Sequence, residues 1–332
     1  MIKRFKILVL TDHVTHSKES SIYPLLCEMR KNKSCASIDV ASRSVKENAP
    51  FFHEYNSTQL YVATVNKEYS FQEDNSFYSQ DTQIKDIKNY DLIFLRIPQP
   101  IKVKFFKFLL KNFPENKIIN KPSGIIKTGS KEYLMQFPQF CPEIKICHNK
   151  KDVLTFAKKF PIVLKPFRSY GGKGIFRIAE NQAFDPKNRE IPLDNFLEKL
   201  EKVEFLAMKY LKNVTQGDKR INVVNGKVVG ATLRIPPKDS WICNVSSGGL
   251  AKKTKLTKEE KVMAKEISKI LLAQGVVIFG FDTLVDDDGK RVLSEINTFS
   301  VGGFPQAERL SGEPVVRKTS DLLWTYIKKN IF

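Results

Sequence analysis

Two runs rich in β-branched and aromatic residues lie near the C-terminal end, at 277–285 and 290–296, separated by Asp286-Asp287-Asp288-Gly289. Runs of that kind, bounded by turn residues, predict two strands of one hairpin. Glu295 and Asn297 are two apart, so they share a face, and Asp282 sits on the neighbouring strand. Two carboxylates and an amide oxygen converging on one face form a hard, oxygen-only donor set. That set suits Mg²⁺ held jointly with phosphate oxygens. A hairpin whose polar face is simply solvated is the other reading of the same pattern.

Upstream, 5–10 reads as a buried strand, and 20–31 carries Ile22, Leu25, Leu26 and Met29 at helical spacing. Further short strands are predicted at 37–42, 91–97 and 117–120. Strands alternating with helical segments predict a small parallel α/β unit. The polar, poorly periodic stretch 44–89 predicts strand pieces and long loops, and Asn120-Lys121-Pro122 marks a boundary. Beyond it, helices are predicted at 128–137 and 150–159, a strand at 160–165 and an extended apolar segment at 204–211. Asn225-Gly226 between 219–224 and 227–234 predicts a hairpin with a type I′ turn. Thr257 and Glu260 form a capping box for a helix over 257–273, with Gly275 just past its end. A terminal helix is expected at 320–329.

A chain of 332 residues is long enough for two or three domains. Hydrophobic content of 42% and charged content of 27% are those of an ordinary globular protein. The net charge of +19 is not ordinary, but the lysines are spread along the whole chain and no nucleic-acid-binding motif accompanies them. Nucleic acid is therefore not expected as a partner, whereas anionic small molecules are favoured. The five cysteines show no C-x-x-C spacing and no partnering histidines, which argues for reduced thiols in a cytoplasmic protein rather than zinc. No stretch approaches the ~20 apolar residues of a membrane helix.

Residues 160–178 read as strand, glycine-rich turn and strand, with Lys165 before Gly171, Gly172 and Gly174. Glycines let backbone N–H groups close on phosphate oxygens. The order of a P-loop is missing, and no helix follows as a dinucleotide fingerprint requires. Alone, such a turn is most often only a turn. In combination with the extended segment some 40 residues later and the Asp…Glu-x-Asn hairpin, the chain resembles the ATP-grasp superfamily. Asn120-Lys-Pro-Ser, Lys165-Pro-x-x-x-x-Gly-Gly, Gly217-Asp-Lys-Arg220, Arg234-Ile-Pro, Asn244-Val-Ser-Ser-Gly-Gly249 and Glu295-Ile-Asn297 occur in order. With Lys18-Glu-Ser-Ser21 and Leu95-Arg96, they resemble the prokaryotic glutathione synthetase family across nearly the whole chain.

The resemblance implies an α/β, ATP-grasp fold with an N-terminal parallel α/β domain over 1–121, a central subdomain over 122–204 and a C-terminal subdomain over 205–332. It implies ATP-dependent joining of γ-glutamylcysteine to glycine through an acyl phosphate, with ATP and Mg²⁺ (or Mn²⁺) as cofactors, in a homotetramer. Lys131, Lys165, Gly171, Gly172, Gly174, Lys209, Tyr210, Leu211 and Asp218 match nucleotide-binding positions. Arg220, Arg234 and Asn244 match catalytic ones, Asn244 on a loop that closes over the acyl phosphate. Asp282, Glu295 and Asn297 match metal ligands. Ser20, Ser21 and Arg96 fall where the donor peptide binds, and Ser300 and Gly302 border the acceptor site. After Asn297 the chain departs from the better-known enterobacterial pattern, reading Thr298-Phe-Ser-Val-Gly-Gly-Phe-Pro305. Two alternatives stay open: a related carboxylate–amine ligase acting on another small peptide or a protein C-terminus, and a non-catalytic nucleotide-binding scaffold.

Overall fold

The computed structural model describes residues 3–167, 174–198, 204–238, 240–243 and 248–331, and three sheets carry the architecture. The first contains β1 (Phe5–Thr11), β2 (Cys35–Ser42), β3 (Gln59–Thr64), β4 (Gln83–Asp86), β5 (Leu92–Leu95) and β6 (Ile118–Ile119), in the order β4-β3-β2-β1-β5-β6. Strands β2, β1, β5 and β6 run parallel, whereas β3 and β4 add antiparallel. Ile7 and Val9 face one core and Leu8 and Leu10 another, all fully buried, as a parallel sheet covered on both sides requires. Helix α1 (Ile22–Arg30) covers one face and α2 (Val103–Asn112) the other. The stretch 44–89 has more order than its polarity suggests, because Tyr69, Phe71 and Phe77 pack with Tyr78 and Tyr23 into an aromatic cluster.

A short helix, α3 (Pro122–Thr128), follows the boundary. The helix expected at 128–137 is displaced: Pro122, with its pre-set φ, opens the helix, and Gly129 and Ser130 end it. Only a 3₁₀ turn, Lys131–Gln136, occupies the expected place. The second sheet is antiparallel. It holds β7 (Ile144–Cys147), β8 (Ile162–Pro166), β9 (Phe176–Ala179), β10 (Gln182–Phe184), β11 (Glu190–Pro192) and β12 (Phe205–Lys209), in the order β11-β10-β9-β8-β12-β7. Helices α4 (Lys150–Ala157) and α5 (Leu193–Glu198) pack on one side of it.

The third sheet holds β13 (Asp218–Val224), β14 (Lys227–Ile235), β15 (Leu250–Lys253), β16 (Ile278–Val285) and β17 (Arg291–Asn297), in the order β15-β14-β13-β16-β17. Asn225 and Gly226 both take positive φ, 46° and 74°, as the type I′ turn demands. Alternation along β13 sends Ile221 and Val223 toward α6 (Lys258–Ala273), which starts with the expected capping box. On that side Lys219 pairs with Glu260 at 2.8 Å, and Thr283 donates to the other Glu260 oxygen at 2.7 Å. This polar brace has all its parts satisfied although Glu260 is fully buried.

Helix α7 (Phe304–Ser311) packs on β14 and β15 of the third sheet, and α8 (Val315–Asn330) runs from β14 to α1 beside the first sheet. The last helix starts earlier than its expected 320, after Pro314. Trp324 packs on Phe5 and donates to the Met29 carbonyl at 3.0 Å. Asn120 joins the first sheet to the third. Its amide nitrogen donates to the carbonyls of Ile278 and Thr298, and its oxygen accepts from the amides of Val277 and Ile278.

Candidate active site

Strand register assembles the site. Asp218 is paired with Arg234 across β13–β14, Arg220 with Asp282 across β13–β16, and Asp282 with Glu295 across β16–β17. Directly paired residues share a face, as do residues two apart on one strand. All five charged groups therefore project from the face opposite α6. They form a ladder of alternating sign. Arg234 donates to both Asp218 oxygens at 2.7 and 2.6 Å and reaches Asp282 at 3.0 Å. Arg220 makes a two-pronged contact with Asp282, its Nη2 at 2.9 Å from Oδ2 and its Nε bonded to Oδ1. Burial alone would raise the Asp282 pKa, but the two guanidinium groups overcome it and hold the carboxyl at about 2. Burial alone would lower Arg234, and Asp282 and Asp218 raise it overall.

Across from this ladder, the second sheet contributes Lys165 at the end of β8, and the 3₁₀ turn contributes Lys131. Lys131 Nζ lies 3.5 Å from a Glu295 oxygen. Lys165 donates to the Ser294 carbonyl at 3.0 Å and has no carboxylate within ion-pair distance among the described residues. Burial lowers its pKa, with Lys131 acting in the same sense and Glu295 opposing. The cleft between the two sheets holds about 740 Å³, open mouth included. Its charged lining is Lys131, Lys165, Lys209, Asp218, Asp282 and Glu295. Its apolar lining includes a cluster of Val163, Val214, Trp241 and Cys243, with Tyr210 and Leu284 against it, and Cys243 meets Asp218. Lys209, Tyr210 and Leu211 line the same cleft. The amides of Lys209 and Tyr210 are already bonded, to Glu143 and Pro161 carbonyls. Lys209 also pairs with Asp287 in the β16–β17 turn at 3.2 Å, tying the second sheet to the third.

Glu295 and Asn297 have the hard donor chemistry a divalent cation needs. The side-chain nitrogen of Asn297 is buried without a partner, and Glu295 keeps 31% of its side chain exposed. Asp282 completes the oxygen set but is engaged by arginines. Among the described residues no three His, Cys, Asp or Glu side chains gather as a self-sufficient metal cluster. These residues therefore fit a cation that shares its coordination with a ligand's oxygens.

A second cavity, about 680 Å³, opens between the first sheet and the segment after β17. Ser20, Ser21, Arg96, Ser300 and Gly302, separated by up to some 280 positions, all line it. Arg96 is 8% exposed, and its Nη2 donates to the Val301 carbonyl at 2.7 Å, while its Nε is buried and unpaired. No carboxylate faces it within ion-pair range among the described residues. Burial pulls its pKa down to about 10. Ser21 occupies the N-cap position of α1, but its hydroxyl makes no cap bond and instead accepts from Phe304 N at 3.3 Å. Ser300, held at φ +47°, donates its hydroxyl to the Ile97 carbonyl at 2.5 Å. Gly174 is described, with φ +69° beside Pro166, whereas Gly171, Gly172 and Asn244 lie outside the described residues.

Sequence reasoning missed Trp241 and Cys243 in the first cavity and His16 in the second. His16 bonds Thr11 Oγ1 and Tyr23 OH, both at 2.9 Å, and burial, aided by His13, lowers its pKa to about 4. Lone residues in loops carry no periodic or motif signal that would single them out.

The comparisons agree with this geometry. Residues 130–312 match the family model of the prokaryotic glutathione synthetase ATP-grasp domain. A glutathione synthetase from Brucella melitensis is 30% identical over 69% of this chain and 71% of its own. One from Buchnera aphidicola is 28% identical over 90% of both. Among solved structures, D-cycloserine synthetase aligns over 96% of this chain and 98% of its own, with TM-score 0.67 and 11% identity. D-alanine–D-alanine ligase from Bacillus anthracis, complexed with ATP, aligns over 98% of both chains, with TM-score 0.57 and 14% identity. At those identities the structures speak for the fold, which is ATP-grasp, and ligases of this fold work with ATP and a divalent metal ion. The family model covers more than half of the chain, and the chain belongs to the prokaryotic glutathione synthetase family.

Proposed function

We propose that this chain is an ADP-forming carboxylate–amine ligase that joins γ-glutamylcysteine to glycine. One observation carries the proposal: one cleft is lined by Lys131, Lys165 and the carboxylates of the Asp–Arg ladder, and a second cavity holds a buried cation, Arg96, with no acidic partner among the described residues. The first suits a triphosphate, and the second suits a peptide carboxylate.

The chemistry follows from what a carboxylate lacks. It is a poor acyl donor until an oxygen is phosphorylated. The donor carboxylate attacks the γ-phosphorus, the bond to the β-phosphate oxygen breaks, and ADP leaves. The glycine amine then attacks the acyl carbon, the C–O bond to phosphate breaks, and the amine gives up a proton. Catalysis of such a transfer is mostly positioning and charge. Lys131 and Lys165 supply positive charge from one side, and Arg220 and Arg234 from the other. The arginines are held ready by Asp218 and Asp282, so little reorganisation is needed when phosphate oxygens arrive. Asp282, Glu295 and Asn297 would hold Mg²⁺, which when bound adds charge at the phosphate oxygens. Arg96 fixes a donor carboxylate, with Ser20 and Ser21 lining the same cavity. Ser300 and Gly302 border the acceptor, Ser300 through its lone pairs because its proton is committed to Ile97. In this scheme the donor binds between 1–121 and 205–332, and 122–204 and 205–332 close on the nucleotide. The scheme includes a homotetramer in the cytoplasm; all five cysteines are free thiols, and no helix among the described residues is long and apolar enough to cross a membrane.

ADP release with γ-glutamylcysteine and a panel of amines tests the proposal. Release that requires both the dipeptide and glycine supports it. The segment Thr298–Pro305, which departs from the better-known pattern, favours one second reading, a ligase with another acceptor. Faster release with a different amine would establish that reading. No release with any pair would refute both.

A further inference from the structure

The apolar lining of the nucleotide cleft contains one side chain whose size and fixation stand out. Trp241 is 8% exposed and lines the cleft beside Val163, Val214 and Cys243. Its Nε1 donates to the Asp185 carbonyl at 3.0 Å, on the loop after β10. That loop is itself rigid: Asp185 accepts from the amides of Lys187 and Arg189 and from the Arg189 side chain. Ser240 donates to the neighbouring Pro186 carbonyl at 2.9 Å, so the indole is anchored to the second sheet from two adjacent residues. Its edge meets the Tyr210 ring, centroids 6.2 Å apart and planes at 82°. Arg177 in turn lies over Tyr210 at 5.1 Å and over Phe184 at 4.2 Å.

We propose that Trp241 is a base-binding residue, a pre-oriented aromatic wall against which the purine of the nucleotide lies. The lysines of the cleft, Lys131 and Lys165, suit phosphates, whereas a planar heterocycle gains most from the apolar, aromatic part of the lining, Val163, Val214, Tyr210 and Trp241. An indole tied down through its own N–H loses no further freedom when the base arrives. The proposal rests on the cleft being a nucleotide site and adds to it the residue that recognises the base.

The test is equilibrium binding of AMP, ADP and a non-hydrolysable ATP analogue to Trp241→Ala, Trp241→Phe and the parent, alongside steady-state kinetics. Stacking on an aromatic ring is worth about five- to 150-fold per base on truncation to alanine. Trp241→Ala should weaken all three nucleotides by one common factor in that range, and raise KM for ATP while leaving KM for the donor peptide in place. Trp241→Phe should recover part of the loss. The chain has two tryptophans, and Trp324 is buried in the α8 packing. Nucleotide addition should therefore change the emission of the parent and leave that of Trp241→Phe unchanged. The proposal is overturned if the variants bind nucleotide as the parent does, if ATP affinity falls while AMP affinity does not, or if Trp241→Phe keeps the emission change. Should Trp241→Ala not fold, Trp241→Phe decides by the last criterion. A parent that binds nucleotide but makes no peptide bond would refute the proposed reaction and leave Trp241 testable.

Discussion

Replacing Arg96 by methionine should make the unliganded protein more stable and a worse enzyme. The guanidinium lies in a site that removes it from water and offers one carbonyl, at 2.7 Å, and the Phe94 ring, at 5.6 Å. Burial lowers its pKa to about 10, and that displacement corresponds to roughly 3 kcal/mol of lost charge solvation. The carbonyl bond returns about 1.5 kcal/mol and the ring contact about 0.5–1 kcal/mol. Methionine has similar length, no charge and adaptable packing. The unliganded variant should therefore gain about 1 kcal/mol, less whatever the freed Val301 carbonyl costs. The donor should suffer in the opposite direction. A lost charge-assisted bond to its carboxylate costs about 1.5–3 kcal/mol, or roughly 10- to 150-fold in KM. Urea denaturation without ligand gives the first quantity, and initial rates against γ-glutamylcysteine at saturating ATP give the second. The reasoning is refuted if Arg96→Met is destabilised by more than about 2 kcal/mol, or if KM for the peptide is unchanged. An equal rise in KM for ATP would also sink the assignment to the donor.

Three further outcomes are expected. Glu295→Gln should fold normally, since its Lys131 contact at 3.5 Å is partly exposed, yet need about tenfold or more Mg²⁺ for half-maximal turnover; normal turnover at limiting metal would remove Glu295 from the metal site. His16 is held neutral with a pKa near 4, below the ~6.5 of the unfolded chain, so its contribution is complete above pH ~6.5 and is lost as pH falls toward 4. Its partial exposure discounts the effect to roughly 2 kcal/mol, and His16→Gln should flatten the denaturation midpoint across that pH window. Glu260→Ala strands Lys219 in the interior and should cost about 3–5 kcal/mol by urea denaturation, part of which Lys219→Met in the same chain should restore.

The hairpins and the shared face of Glu295 and Asn297 are legible in the sequence because they depend on short-range rules, whereas the Asp–Arg ladder needs the strand register. Parity along β17 and the Asn225-Gly226 turn fix which residues share a face whatever packs above them. The buried run of β1 and the capped α6 were equally plain. The helix misplaced at 128–137 shows the limit: the apolar spacing was suggestive, but Pro122 and Gly129 decide where the helix begins and ends. The terminal helix reads too short in the sequence because Val315 and Val316 look like the end of a loop until β14 of the third sheet is there, at Gly230, to bury Val315. Strand pieces are expected in 44–89, but the bounds of β3 and β4 are not legible there, because its few aromatics are brought together only by tertiary packing. Ser20, Ser21, Arg96, Ser300 and Gly302, which line the second cavity, are singled out by the resemblance alone. That Ser21 and Ser300 spend their hydroxyls on the protein itself could be learned only from the fold.

Trp324 against Phe5 and Met29 has a consequence for the order in which this protein can be made. The first sheet emerges from the ribosome early, but Phe5 at the start of β1 and the α1 carbonyl of Met29 wait for a helix that begins at Val315. At translation rates of 5–20 residues per second, the roughly 200 intervening residues take about 10–40 s. During that time Phe5 lacks the Trp324 ring and the Met29 carbonyl lacks its indole donor. Removal of α8 would therefore expose Phe5 and leave the second core of the first sheet, on the α2 side, in place.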